Sequence, residues 1–71
     1  MEKNINRIKV VLVDKGKTNR WLAEQLGVAQ TTVSKWCTNA SQPPMGTFLK
    51  IAELLDVEIA DLLRIEKKNQ L

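Results

Sequence analysis

Apolar residues recur at helical spacing in five stretches of the chain, separated by short polar or glycine-bearing breaks. In residues 4–14, NINRIKVVLVD, Ile5, Ile8, Val11 and Leu12 make an amphipathic stripe, with Arg7 and Lys9 turned away from it. The β-branched Val10, Val11 and Val13 would also suit a strand. The spacing and the stop at Gly16 favour a first helix. Thr18 is the expected N-cap of a second helix, in which Leu22, Ala23 and Leu26 share one apolar face. Gly27 ends it, because a helix terminus needs a residue that tolerates positive φ. A third helix runs from about Gln30 to Cys37 with Val33, Trp36 and Cys37 inward. Its cap, Ala29, is a poor one, costing about 1 kcal/mol against Ser or Thr. Pro43-Pro44 opens a fourth helix lined by Met45, Phe48, Ile51, Ala52 and Leu55. Val57, Ile59, Leu62 and Leu63 make a short fifth. Trp21 is expected to pack its flank on the first helix, and Trp36 to close the edge of the core. The fold class is therefore all-α, a compact bundle of five short helices.

Seventy-one residues allow one domain, and 44% hydrophobic residues are enough to give it a core. We assign residues 1–65 to the domain and residues 66–71 to a flexible C-terminal tail, with Ile65 and Leu71 available for a subunit contact. No run is long and apolar enough to span a membrane, and MEKNINR lacks the apolar segment of a secretory signal. The single cysteine, Cys37, excludes a disulfide framework and reads as a small packing residue, so a cytoplasmic location is expected. The net charge of +3 is modest, but its distribution is directional. Residues 15–50 carry Lys15, Lys17, Arg20, Lys35 and Lys50 against Glu24 alone, whereas the acidic residues gather after residue 50. Such a field suits an anionic partner approaching from one side, although ordinary solvated charge fits it about equally well. With no histidine, no paired carboxylates in a plausible cleft, no metal-ligand cluster and no phosphate loop, nothing here points to an enzyme or a cofactor.

The third helix carries the chemistry. Turning about 100° per residue puts Thr31 and Lys35 opposite its apolar face, flanked by Thr32 and Ser34, with Gln30 at the leading end. Glu and Lys would serve a merely solvated helix better. Side chains that both donate and accept hydrogen bonds suit the edges of base pairs. The pattern Leu22-Ala23, Leu26-Gly27-Val28, Gln30-x-x-Val33-x-x-Trp36, then Pro43 and Ile51-Ala52-x-x-Leu55-x-Val57, ending at Leu62, resembles the helix-turn-helix repressors of the Cro/XRE family, which includes the phage lambda repressor. Asn19 stands where that family commonly has Gln, Ala29 where it favours Ser or Thr, and Cys37-Thr38-Asn39 where it often has Glu-Asn-Gly.

The resemblance implies a regulator, most simply a small autonomous repressor, that binds double-stranded DNA with the third helix in the major groove. Gln30 would bond an adenine, Lys35 a guanine, and Thr31 a thymine methyl or base edge, with Thr32 and Ser34 as further base readers. Lys17, Asn19, Arg20, Thr38 and Asn39 would hold the phosphate backbone. One module makes few base contacts, so a homodimer on a palindromic site is expected. Two alternatives stand beside it: an antitoxin that also binds a toxin protein, and a protein-interaction module that has lost DNA.

Overall fold

The computed structural model describes residues 5–64, and the regular elements in that range are helices joined by short turns and loops. Four α-helices, α1 (Ile8–Asp14), α2 (Asn19–Leu26), α3 (Gln30–Cys37) and α4 (Met45–Leu55), precede a 3-10 helix, Ile59–Leu62. The expected tail, residues 66–71, and Ile65 and Leu71 with it, lie outside the described residues.

The inward stripes expected from the spacing meet in one core. Ile8, Leu12, Leu22, Val33, Ile51 and Leu62 are its fully buried members, one or two from each helical element. Val11, Ala23, Trp36, Phe48, Ala52 and Leu55 complete it, and Trp21 packs on its edge. Pro43 is also buried and brings the chain into α4, with Pro44 as the N-cap residue. Asp56, at φ 56°, closes α4 in the left-handed region, where its amide and that of Val57 reach back to Glu53 and Ala52 carbonyls.

Three expectations need correction. The first helix starts at Ile8 rather than residue 4, and Ile5 is 45% exposed instead of lying on the core stripe. Residues 5–7 are drawn into an antiparallel bridge, Asn6 to Leu63. Arg7 N–H donates to the Leu62 carbonyl (2.8 Å), and Arg64 N–H to the Ile5 carbonyl (2.7 Å). The β-branched valines are themselves helical, and the extended segment lies ahead of them.

The fifth helix is a single 3-10 turn, stopped because Leu63 must be extended to form that bridge. Its start is fixed by the reciprocal pair Glu58 and Asp61, with Glu58 N–H donating to Asp61 Oδ2 at 3.0 Å. Met45, placed on the inner face of α4 by its spacing, is 60% exposed and shares the outer side with Leu49. It is the first helical residue, where the axis has not yet reached the core.

Candidate nucleic-acid interface

α2 and α3 make the most extensive contact between elements, and their local chemistry sets the angle. Thr18 caps α2, its Oγ1 accepting from Trp21 N–H at 3.0 Å. Gly27 ends α2 at φ 69°, and Val28 N–H returns to the Ala23 carbonyl at 3.1 Å. Ala29 then opens α3 with no side-chain cap, so the poor-cap expectation stands without compensation. Val33 and Trp36 are buried against the other helices and lock the rotation of α3. Gln30, Thr31, Ser34 and Lys35 are consequently exposed on the far side, and Thr32 is half-buried on the flank. Lys35 also lies in the last turn of α3, where a cation is favoured by the helix dipole.

The residues expected at phosphates are distributed unevenly around this face. Asn19, the first residue of α2, lies beside α3, with its Nδ2 3.5 Å from Ser34 Oγ. Its Oδ1 accepts from Lys9 Nζ at 3.2 Å and lies 3.5 Å from Cys37 Sγ. Arg20 follows it on the surface and pairs with Glu24 one turn on, at 3.4 Å. Both side chains are well exposed, and such a pair contributes only about 0.3–0.5 kcal/mol, too little to hold Arg20 from a phosphate. Lys17 sits 4.8 Å above the Trp21 ring, which leaves its charge at the α1–α2 junction.

Beyond α3, Thr38 is exposed and its hydroxyl turns back to the Lys35 carbonyl at 3.2 Å. Asn39 differs from the expectation. Its side chain is committed inside the protein, with Oδ1 accepting from the Asn6 N–H (2.9 Å) and from Gln42 Nε2 (3.1 Å). Its Nδ2 donates to the Asn6 carbonyl at 3.1 Å. With φ at 63°, Asn39 turns the chain out of α3 and ties the exit loop to the N-terminal segment. A local amide side chain tolerates that conformation better than most residues.

Asn6 is what the sequence reading missed. It is 4% exposed, the buried polar residue of the described chain. Its Nδ2 donates to the Trp36 carbonyl (2.9 Å) and to Gln42 Oε1 (2.7 Å), while its Oδ1 accepts from Ile8 N–H (3.0 Å). It therefore starts α1 and clamps the loop after α3 at once. The signal in the sequence is a polar Asn following Ile5, just ahead of the apolar stripe that continues at Ile8.

Cys37 is half-buried at the foot of α3. Burial pushes its thiol up from the ordinary value, and the nearby Lys9 ammonium offsets part of that rise. Because the folded value is the higher one, stability should be unaffected at neutral pH and should fall as pH climbs through it. Native chain should react with iodoacetamide more slowly than urea-unfolded chain at about pH 8. Equal rates would place the thiol in solvent.

Among the described residues, no helix is long and apolar enough to cross a membrane, and no group of three or more His, Cys, Asp and Glu converges. A sequence profile of the Cro/C1-type helix-turn-helix DNA-binding domain matches residues 7–68. The chain is also similar to a solved structure, that of a proposed DNA-binding protein from Bacteroides fragilis. The two are 53% identical, superpose with a TM-score of 0.84, and the match covers 84% of this chain and 97% of the other. No curated protein matches.

Proposed function

The chain belongs to the Cro/C1-type helix-turn-helix DNA-binding family, and on that premise we propose that it is a sequence-specific transcriptional repressor that reads the major groove with α3. The family is one of binding domains, not of enzymes. The observation that carries the proposal is the division of α3. Val33 and Trp36 are buried, while Gln30, Thr31, Ser34 and Lys35 present donors and acceptors to solvent from a rigid support. Gln30 would bond adenine, Lys35 guanine, and Thr31 a thymine methyl, with Ser34 and the half-buried Thr32 in supporting roles. Asn19, Arg20, Lys17 and Thr38 would set the register on the phosphates. Asn39 acts by shaping the exit loop, so its side chain is left out of the contact set. One reading helix of eight residues spans few base pairs, so two copies on a palindromic site supply the specificity.

Selection from random duplex DNA tests this, since half-site spacing then reports the dimer geometry. Gln30→Ala should cost about 1–3 kcal/mol on the selected site and relax the preference at one base position. Arg20→Ala should weaken all sequences alike and lower the salt slope by about one per bound subunit. Folding should change by less than about 0.5 kcal/mol in either case. Sequence preference that survived Gln30→Ala would remove α3 as the reader. Binding insensitive to salt would favour a protein-interaction role.

A further inference from the structure

Cations from both ends of the described chain meet beside the foot of α3. Arg7, Lys9 and Arg64 line one cleft of about 350 Å³, together with Thr38 and Asn39, and no carboxylate is among the described residues that line it. The arrangement is built by backbone pairing rather than by chance proximity of long side chains. Arg64 N–H bonds to the Ile5 carbonyl, and Arg7 N–H to the Leu62 carbonyl, so the bridge between Asn6 and Leu63 holds both arginines at one rim. The Arg7 guanidinium is steadied by the Asp61 carbonyl at 2.9 Å. Lys9 also lines the cleft and reaches Asn19 Oδ1 at 3.2 Å; Asn19 in turn lies 3.5 Å from Ser34 on the exposed face of α3. A polar line thus joins the cleft to the reading face.

Three like charges around one depression repel one another and attract an anion. Two guanidinium groups and an ammonium match the oxygens of a phosphate diester. Position narrows the source. Thr38 directly follows α3, so a strand read by α3 would carry its next phosphates past this cleft.

We propose that Arg7, Lys9 and Arg64 form a phosphate clamp for the DNA strand flanking the bases that α3 reads. This rests on the reading role of α3 and adds a contact region made by α1 and the paired segments 5–7 and 62–64. Lys17 and Arg20 do not line the cleft, although Lys9 borders the start of α2 through Asn19.

The test is duplex affinity across salt for the unaltered chain, Lys9→Gln, Arg64→Gln and Lys9→Arg. Two duplexes are needed, one carrying the selected site with long flanks and one trimmed to the base pairs of the site. On the long duplex each charge removal should weaken binding about five-fold at roughly 0.15 M salt and lower the slope by about 0.9 per subunit. Base preference should be unchanged, and Lys9→Arg should retain the slope. On the trimmed duplex the losses should vanish. Thermal melts identify any variant whose loss is one of folding. Unchanged affinity and slope on the long duplex would overturn the clamp, as would equal losses on both duplexes. A cleft that bound inorganic phosphate, yet whose variants left duplex affinity untouched, would be a small-anion site and would overturn it equally. Failure of the unaltered chain to bind any duplex would instead remove the reading role of α3.

Discussion

Leu22→Ala should lower the unfolding free energy by about 2–5 kcal/mol. Leu22 is fully buried on α2, within the cluster that includes Leu12, Val33 and Ile51. Truncation removes about three carbons' worth of apolar contact and leaves a cavity that helices pinned by a common core cannot close. A domain of this length has only a few kcal/mol in hand, so the loss is a large part of its stability. Ile51→Ala, at the equivalent depth on α4, should behave the same way. The midpoint of denaturant unfolding reads both effects. Midpoints close to that of the unaltered chain would mean that the core collapses freely around the missing atoms. DNA affinity should fall with the folded fraction, because Leu22 and Val33 hold α2 against α3.

Asn6→Ala should cost about 2–4 kcal/mol, although the residue looks unremarkable in the sequence. The change deletes three side-chain hydrogen bonds in a site that is 4% exposed, leaving the Ile8 N–H without its acceptor and the Trp36 carbonyl and Gln42 without their donor. An isosteric apolar side chain would be no better, since the partners would remain buried. Faster hydrogen exchange at the Ile8 amide, together with the drop in melting temperature, separates this cause from a general loosening. Duplex affinity should also fall more than stability alone requires, because the loop leaving α3 is tied down through Asn6 and Asn39. An Asn6→Ala chain of unaltered stability would show that water replaces the network at no cost.

The local grammar of the chain was legible wherever one residue decides one event. Thr18 as a cap, Gly27 as a terminator and Gln30–Cys37 as the third helix are all as expected. So are Val33 and Trp36 as the buried side of that helix, which follows from 3.6-residue periodicity and from nothing else in the molecule. Spacing failed at the ends of elements. Ile5 and Met45 fit the stripes arithmetically, but a helix end lies outside the region where a stripe faces the core, and both are exposed.

The sequence by itself therefore determined the all-α class, the helix-turn-helix and the chemistry of its outward face, because each depends on neighbours within a few positions. The start of the first helix, the 3-10 form of the last and the internal role of Asn39 were settled only in three dimensions. Each depends on partners that lie far away along the chain: Asn6 meets Asn39 across 33 positions, and Arg7 meets Asp61 across 54. Hydrophobic periodicity reports which side of an element is buried. It carries no information about which distant backbone group will satisfy a buried amide, and that choice is made when the helices pack.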